Sequence, residues 1–353
     1  MKIGFVAARN ISHITSLRKY ESVFEKYDLI YWNKLGLEET CGAENVYAFR
    51  REEKEMKGKK AKAKAYLDFR KFVCEIIKKN RYDRLVVLPT QTAVLLWDVL
   101  LFGYRKKYLL DIRDYTGEHN PLFYALMKKL VMNAHTVSLT SPAFREFLPQ
   151  RDYVVSHNYY PVPENLVKEF REKHRTKNSP VKLYCIGGAR FPEYFRKVID
   201  CFADDGRFEI GFVGTGSEKL ADYVKEKNIK NVYLAGSFPA KETARIHASC
   251  DMESNLFGHN TPLLDYALSN RFYYAVTFGM PCVACKGTYT EKMATEGGFG
   301  FSFDETDPNI ADRLWDYYEN LDMDRLYEKC DAFMAGIKED EEKFISALRR
   351  FAL

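Results

Sequence analysis

The sequence has no apolar run long enough to cross a membrane. Its longest apolar stretch, from Thr92 to Phe102, is about half of a membrane span and contains Asp98, so it predicts a buried helix instead. The N-terminal residues MKIGFVAARN become polar too soon for a signal peptide. From these absences we predict a cytoplasmic location.

A second Cys-x-x-C motif is also missing. The chain has eight cysteines but a single Cys-x-x-C motif, formed by Cys282 and Cys285. A zinc or redox site needs a second ligand pair or an adjacent helix start. The surrounding PCVAC is typical of a strand, in which this odd spacing turns the two thiols to opposite faces. We therefore expect reduced core cysteines and no metal.

Charge of both signs is abundant, but it is distributed unevenly. Residues 1–160 carry 28 Lys and Arg against 18 Asp and Glu, whereas residues 161–353 carry 26 against 31. A basic first half suggests an anionic partner, such as nucleic acid, an anionic membrane or a phosphorylated acceptor. The sequence has no zinc knuckle, helix-turn-helix or aromatic RNA-binding pattern, so we expect no nucleic acid.

The most basic segment runs from Arg50 to Lys64 and holds eight basic and three acidic residues. Two interpretations stay open. One is a solvated charged face. The other is attraction to anionic lipid, where each basic residue near the surface is worth about 1 kcal/mol. The second interpretation predicts peripheral contact with the inner membrane face.

Short β-branched runs alternate with helical patterns along all 353 residues, a length that suits two domains. Such alternation predicts parallel sheets covered by helices on both faces. The predicted strands of the first half are Lys2–Ala7, Leu29–Trp32, Val46–Phe49, Leu85–Leu88, Tyr108–Ile112, Thr136–Leu139 and Tyr153–Ser156. The predicted helices there are Ile14–Tyr27, Lys60–Lys79, Thr92–Phe102, Pro121–Asn133 and Pro142–Phe147.

The pattern breaks after Tyr160 and restarts at Val181. We therefore predict a Rossmann-like domain at 1–160, a linker at 161–180, a second Rossmann-like domain at 181–337 and a terminal helix at 338–353. The predicted strands of the second domain are Val181–Ile186, Phe208–Val213, Val232–Leu234, Met252–Asn255 and Cys282–Ala284.

Ligands of open parallel sheets bind at the carboxyl ends of the strands. One such end reads Gly-Gly-Ala-Arg190, where glycines admit a ligand to the backbone and an arginine can hold a diphosphate by two hydrogen bonds. The next reads Gly214-Thr-Gly216. It lacks the third glycine and the later acidic residue of a dinucleotide site. This disfavours a dinucleotide cofactor but not a nucleotide phosphate nearby. Taken alone, Arg190 is equally explained as a solvent-facing arginine after a strand.

A third strand end leads into a helix that Ser269 or Asn270 can cap and that Gly279 ends. Free amides at its N-terminus, together with Arg271, would hold a phosphate. A well-capped helix with no ligand is the alternative for this segment taken alone.

The order and spacing of these three elements resemble the C-terminal domain of family 4 glycosyltransferases, especially bacterial capsule and exopolysaccharide enzymes. That family has Gly-x-Arg, then Val-Gly-x-Gly, a strand ending near Leu-x-Gly, and Leu-Pro-Asn-Lys-x-x-Glu-x-x-x-x-Gly-x-Pro-Val. The last element reads LSNRFYYAVTFGMPCV here. The resemblance, which extends over 180–305, implies an α/β GT-B fold: two Rossmann-like domains with a C-terminal helix that crosses back to the first.

Carried over residue by residue, the resemblance implies a nucleotide-sugar donor site. The arginine would bind the donor diphosphate, the glycines would shape the loop beside it, the residues after the next strand would border the base, and the helix amides would contact the distal phosphate. These positions are Arg190, Gly214, Gly216, Ser237, Phe238, Ser269 and Asn270. GT-B enzymes usually use no bound metal or other cofactor, because arginines and helix amides stabilise the departing diphosphate.

One motif of that family is missing. The ribose-binding glutamate, four residues after the Asn, is replaced by Tyr274, and the earlier glutamate falls on Tyr266, beside Asp265. Either this chain handles the ribose differently or its donor binding is weaker. Asp265 is the candidate substitute.

The first domain offers fewer signals. After the predicted strand Tyr108–Ile112 the chain reads Arg113-Asp114-Tyr-Thr-Gly-Glu-His119. A carboxylate or imidazole there can act as the base on an acceptor hydroxyl. Asp114 is the first candidate, because Arg113 would keep it ionised. His119 and His13 are second choices, since a lone loop histidine is more often solvated or structural.

We therefore predict a hexosyltransferase that moves a sugar from a nucleotide diphosphate to a saccharide acceptor, preferably lipid-linked, in surface polysaccharide synthesis. The resemblance also implies retention of the anomeric configuration. Two alternatives stay open: a nucleotide-sugar epimerase of the same fold, and a non-catalytic GT-B subunit that binds a partner transferase or glycan. Tyr274 in place of glutamate is the feature that favours the latter.

Overall fold

The short apolar runs of the sequence form two parallel β-sheets, one in each of two structural units. The structure is a computed structural model that describes residues 1–353. The first unit comprises Met1–His157 and Glu339–Leu353, and the second comprises Asn158–Lys338. None of the helices combines the length and apolar character needed to span a membrane.

The first unit contains the strands β1 (Ile3–Ala7), β2 (Asp28–Asn33), β3 (Asn45–Arg50), β4 (Arg84–Leu88), β5 (Tyr108–Ile112), β6 (Thr136–Leu139) and β7 (Val154–Val155). They pair in parallel in the order β3-β2-β1-β4-β5-β6-β7. Its α-helices are α1 (Leu17–Glu21), α2 (Lys59–Asn80), α3 (Thr90–Leu95) and α4 (Pro121–Asn133).

The second unit contains β8 (Val181–Ile186), β9 (Phe208–Val213), β10 (Val232–Ala235), β11 (Met252–Asn255), β12 (Cys282–Cys285) and β13 (Gly300–Phe303). The parallel order is β10-β9-β8-β11-β12-β13. Its helices are α5 (Glu164–Lys173), α6 (Pro192–Phe202), α7 (Ala221–Glu226), α8 (Thr243–His247), α9 (Pro262–Asp265), α10 (Asn270–Phe278), α11 (Tyr289–Glu296) and α12 (Ile310–Glu319). The last helix, α13 (Met323–Phe351), enters the first unit at Glu339.

Aromatic side chains fill the core of the first unit. Phe5, at the centre of β1, is fully buried and contacts the rings of Tyr20, Phe24 and Tyr27. The end of α13 joins the same cluster through Phe344, Leu348 and Phe351. Burying a large apolar side chain contributes about 1.5–3 kcal/mol, so this apolar face anchors the last turns of α13 to the first unit.

Most predicted strands are confirmed, and Tyr108–Ile112 and Phe208–Val213 have the predicted bounds. The predicted helix Ile14–Tyr27 is wrong in extent: only Leu17–Glu21 is α-helical. The apolar spacing there reflects loop residues that pack on Phe5, and spacing alone cannot distinguish this from a helix.

Three further segments differ from the expectations. The predicted helix Thr92–Phe102 is divided into α3 and a π-helical turn at Val99–Gly103. The stretch 161–180, expected as a linker, holds α5 and lies in the second unit. Strand β13 was not predicted, because its sequence, Gly-Phe-Ser-Phe, is short and begins with glycine.

Candidate functional site

The carboxyl ends of β8 and β11 lie side by side at the point where the strand order of the second sheet reverses. From β8 the chain adds β9 and β10 on one side, whereas β11, β12 and β13 extend the sheet on the other. Open parallel sheets bind ligands at such a switch point. The loops after β8, β9 and β11 therefore form the candidate site of this unit.

Two glycine-containing loops approach each other closely there. Gly214 has a φ of +141°, and a Cβ at this position would lie 2.1 Å from the carbonyl oxygen of Gly187. Gly216 has a φ of +93°, and its Cβ would lie 2.9 Å from the carbonyl oxygen of Ala189. Only glycine fits such positions without strain. Gly214 and Gly216 thus allow the loop after β9 to pack against the loop after β8.

Arg190 follows the β8 loop and lines a cavity of about 460 Å³. The side chain of Arg190 is exposed. The one hydrogen bond that this residue donates comes from its backbone amide. Lys197 of α6 lines the same cavity. An unpaired guanidinium can bind a diphosphate by two charge-assisted bonds without first breaking an internal contact.

A hydrogen-bonded group centred on Glu305 forms another part of this cavity. Its carboxylate accepts from the Tyr194 hydroxyl at 2.9 Å and lies 3.1 Å from Nε2 of His259. The Asn260 amide nitrogen is 2.6 Å from Nδ1 of His259. With Asn260 donating to Nδ1, the neutral ring carries its proton on Nε2 and directs it at Glu305. Burial acts to raise the pKa of Glu305, but its hydrogen bonds outweigh burial and lower it.

These residues were not predicted as a group. Tyr194, His259 and Glu305 follow three different strands, β8, β11 and β13. Only the strand order brings them together, and no short sequence motif carries that order.

The N-terminus of α10 opens at the same edge. Ser269 is its N-cap, but the Ser269 hydroxyl donates to the Asn255 side chain and does not cap the helix. The first amides of α10, beginning at the exposed Asn270, therefore have no side-chain partner, which suits them to an anion. Gly279 ends the helix with a φ of +80°, as predicted.

Arg271, which was predicted to help the helix amides hold a phosphate, points into the unit. It is 8% exposed, its guanidinium carbon lies 4.2 Å from the centre of the Phe257 ring, and its Nε donates to the carbonyl of Ile186. Arg271 thus joins the end of β8 to α10. Its role in the structure is to hold these two elements together.

Tyr274 is buried at the position where the resemblance implies a glutamate. Its ring stacks on His247 at 3.8 Å, and burial raises its pKa to about 12. His247 Nδ1 lies 2.6 Å from Oε2 of Glu253, whose other oxygen has no hydrogen-bond partner. Glu253 is fully buried, and this burial raises its pKa. A carboxylate does exist in this region, but β11 supplies it and the sequence pattern did not indicate it.

The remaining predicted donor residues lie on neighbouring loops. The Ser237 hydroxyl, after β10, is 3.0 Å from the Thr215 hydroxyl of the glycine loop. Phe238 is partly buried against the apolar cluster that includes α10. Asp265 ends α9; burial raises its pKa, and its buried Oδ1 has no partner.

The two cysteines of the Cys-x-x-C motif lie on opposite faces of β12, as the odd spacing predicts. Cys282 accepts a bond from the Asn255 amide, whereas Cys285 contacts the Tyr194 hydroxyl. Burial raises the pKa of Cys285 to about 11. Among residues 1–353, no group of three or more His, Cys, Asp or Glu is arranged to hold a metal.

Two of the predicted residues of the first unit share the loop between β5 and α4, and the third lies on another loop. Asp114 follows β5 and is exposed, and His119 stacks on Tyr115 with ring centres 6.3 Å apart. His13 ends a separate 3₁₀ turn, Ile11–His13. Arg113, which precedes Asp114 in the chain, pairs with the fully buried Asp111 at 3.2 Å.

No protein-family model and no curated protein matches the sequence. Solved structures do match over 99% of this chain and 99% of each of the following chains. HepE from Anabaena, in complex with UDP and glucose, is 14% identical with a TM-score of 0.67. Trehalose-6-phosphate synthase, studied for glycosyltransfer with retention, is 11% identical with a TM-score of 0.70. The lipopolysaccharide outer core galactosyltransferase WaaB is 13% identical with a TM-score of 0.62.

These structural neighbours are GT-B glycosyltransferases, and they match the whole chain. Because the sequence identities are low, the structural similarity establishes the fold alone. The chain has the GT-B fold, which confirms the predicted fold class and its C-terminal helix.

Proposed function

We propose that this protein is a nucleotide-sugar-dependent glycosyltransferase whose second unit binds the donor. The observation that supports this most directly is Arg190, an exposed and unpaired guanidinium at the switch point of the second sheet. It borders a cavity that also holds Lys197, and the uncapped start of α10 opens at the same sheet edge. Cations and free amides in one place match the two phosphates of a nucleoside diphosphate. Two neighbours, HepE and trehalose-6-phosphate synthase, are described with UDP or UDP-sugar.

In this proposal the donor phosphates gain negative charge as the bond from sugar to phosphate breaks. Arg190, Lys197 and the amides of Asn270 and Arg271 stabilise that charge, as fixed donors do in an electrostatic site. Ser237 and Phe238 border the base. Asp265 contacts sugar or ribose hydroxyls with its unpaired Oδ1. Tyr274 supports the site through His247 and Glu253.

The first unit binds the acceptor in this proposal. Asp114 takes the proton of the attacking hydroxyl, with His119 and His13 as alternatives. The acceptor is a saccharide, hexose is the preferred transferred sugar, and a lipid-linked acceptor at the inner membrane face suits a role in surface polysaccharide synthesis. Contact with anionic lipid is proposed for Arg50–Lys64, whose one large apolar side chain, Met56, is buried.

The test is the donor affinity of Arg190→Ala, measured by calorimetry with UDP, GDP, ADP and CMP sugars. Loss of a charge-assisted contact costs about 1.5–3 kcal/mol, which is a weakening of about tenfold or more. Arg325→Ala, which removes an exposed arginine at the start of α13, is the matched control and should bind like the parent. Unchanged affinity in Arg190→Ala, with intact folding, would contradict the proposal.

Product analysis separates this function from the alternatives. A transferase releases free nucleoside diphosphate from its donor when the acceptor is present. An epimerase yields an altered nucleotide sugar or free sugar instead. A non-catalytic subunit leaves every donor unchanged.

A further inference from the structure

The first unit has a cavity of about 340 Å³ at the amino ends of β4 and β5. Asp83 and Lys107 line this cavity and directly precede the two strands, whereas Asp114 follows the carboxyl end of β5. A strand of five residues, such as β5, is about 17 Å long. The cavity is therefore separate from the sheet edge that carries Asp114.

Three cations line the cavity: Lys78 in the last turn of α2, Arg81 directly after that helix, and Lys107. All three side chains are exposed, and none of them forms an ion pair or a hydrogen bond within the protein. The one carboxylate of the lining, Asp83, accepts from the backbone amide of Lys2 at 2.6 Å. The lining thus has an excess of positive charge that no protein group neutralises.

The backbone of Arg81 has a conformation that suits glycine better than arginine. Arg81 is the C-cap of α2 and has a φ of +51°, in the left-handed region. Helices usually end in this conformation at glycine or asparagine, because the Cβ of other residues is crowded there. The residues other than glycine with a positive φ are Asp204, Asn228 and Asn260, whose types tolerate it, together with Arg81 and Lys106.

The two exceptions lie near the same cavity, but only one of them has a contact that explains it. Lys106, the neighbour of Lys107, donates from Nζ to the Met132 carbonyl at 2.8 Å, which ties this turn to the end of α4. Arg81 makes no side-chain contact of that kind. Strained backbone is typical of ligand-binding positions, where the side chain has a use that the fold alone does not show. The use that this cavity offers to Arg81 is an anion.

The charges of the lining indicate which anion. A phosphate monoester carries close to two negative charges at neutral pH, which matches three cations and one carboxylate, whereas a carboxylate ligand carries one. The guanidinium fork of Arg81 fits two phosphate oxygens, and the lysines act as point charges. The volume is at the lower end of the range for ligand pockets, so it suits a single phosphate group better than a whole nucleotide sugar. Phe102, 80% exposed, precedes Gly103 of the lining, so an apolar group can accompany the phosphate.

We propose that Lys78, Arg81 and Lys107 form an anion site that binds the phosphate group of a small soluble molecule or of a lipid headgroup. The site is distinct from the donor site proposed for the second unit, and binding to it requires neither donor nor acceptor. Cations at the end of α2 also interact favourably with the helix dipole. That interaction does not distinguish Lys78 from its neighbour Lys79, which lies outside the cavity.

The test uses the full chain and three variants. Lys78→Gln removes one charge from the lining. Arg81→Asn removes another and introduces a residue that tolerates the left-handed conformation. Lys79→Gln is the matched control, because it removes an exposed charge from the same helix turn but not from the cavity. Calorimetry is performed with inorganic phosphate and glycerol 3-phosphate, and cosedimentation with vesicles of phosphatidylcholine with and without phosphatidic acid. Calorimetry with UDP reports the second unit separately.

We expect Lys78→Gln and Arg81→Asn to bind about fivefold more weakly than the parent, and Lys79→Gln to bind like the parent. Arg81→Asn should also keep or raise the melting temperature, because it relieves strain, whereas loss of a merely structural arginine would lower it. Binding of the soluble probes with this order of variants indicates a free phosphate compound, and the same order with vesicles alone indicates a lipid headgroup. The proposal is overturned if no probe binds, if Lys78→Gln and Lys79→Gln behave alike, or if Arg81→Asn binds like the parent. The UDP affinity should be the same in all variants, and a failure of UDP to bind would count against the donor site alone.

Discussion

Charged residues at the end of β5 have separate roles. Asp111 is buried and accepts hydrogen bonds from Ser16, Ser138 and Arg113, so it holds the loop in place. Asp114 lies three residues later and is exposed, where a carboxylate can accept a proton from a substrate. The negative charge of Asp114 also acts on Arg9, where it opposes the lowering of the pKa by burial. The structure therefore separates a buried structural carboxylate from an exposed one within four residues.

If Asp114 is the base, Asp114→Asn should lower turnover without weakening donor binding. General-base assistance is worth about 100- to 10,000-fold in rate, and asparagine keeps the shape while it removes the proton acceptor. The measurement is release of nucleoside diphosphate in the presence of acceptor, together with donor affinity by calorimetry. Asp152→Asn, an exposed carboxylate of the same unit, is the matched control. Turnover within about threefold of the parent would exclude Asp114 as the base.

Sequence reasoning identified single residues where one local rule was sufficient. Gly279 was predicted to end a helix because glycine adopts a positive φ at no cost, and its φ is +80°. Arg190 was predicted as a donor contact from its place after a glycine pair, and the structure places it at the cavity beside the switch point. The direction of Arg271 could not be predicted in the same way, because it depends on Phe257 and the Ile186 carbonyl, which reach it only in the folded sheet.

Among the structural elements, the contact between the loops after β8 and β9 is the least tolerant of change. Gly214 lies so close to Gly187 that any side chain would displace backbone. The Arg190 segment and the glycine loop therefore have to move together. Substitution at Gly214 tests whether this contact sets the geometry of the donor site.

Gly214→Ala should lower both stability and nucleotide affinity. A residue other than glycine at a φ of +141°, with its Cβ 2.1 Å from a carbonyl oxygen, stores about 1–3 kcal/mol of strain or shifts the loop. The measurements are the thermal midpoint and UDP affinity by calorimetry. Gly236→Ala, which meets no atom within 4 Å, is the control and should behave like the parent. A Gly214→Ala variant indistinguishable from that control would show that the loop contact is dispensable.

Strands were predicted more accurately than helices, for a physical reason. Strands such as Tyr108–Ile112 are buried on both faces, so their apolar residues are contiguous and bounded by polar ones. The helical pattern over 14–27 failed, since Phe24 and Tyr27 are loop residues drawn to Phe5. The order of the strands is not encoded locally at all. The Glu305 group depends on that order, and it was missed.

On the scale of the whole molecule, the first half of the chain carries the excess of positive charge. In the folded first unit, part of this charge is neutralised within Arg50–Lys64: Arg50 pairs with Glu38, Arg51 with Asp68 and Lys54 with Glu52. The lysines at the start of α2 form no ion pair and are exposed. The available charge of this segment is therefore concentrated on the first turns of one helix.

If this helix start contacts anionic lipid, neutralising it should reduce binding to vesicles. Each exposed lysine near such a surface is worth about 1 kcal/mol, or about fivefold in affinity. The exposed Leu67 lies one helical turn after Lys64, but the four lysines carry the charge, so the binding should weaken as salt shortens the screening length. The α2 variant carries glutamine in place of four lysines, Lys59, Lys60, Lys62 and Lys64.

The control removes the same amount of positive charge from the second unit. It carries glutamine in place of four exposed lysines, Lys225, Lys230, Lys241 and Lys292. Cosedimentation is measured with vesicles of zwitterionic lipid alone and with added anionic lipid, at low and high salt. We expect the parent and the control to bind anionic vesicles at low salt and the α2 variant to lose most of that binding. Equal losses of vesicle binding in both variants would mean that the net charge of the protein, and not the position of the lysines, determines the binding. Binding that ignores lipid charge and salt would mean that Arg50–Lys64 is a solvated face and that any membrane contact uses another surface.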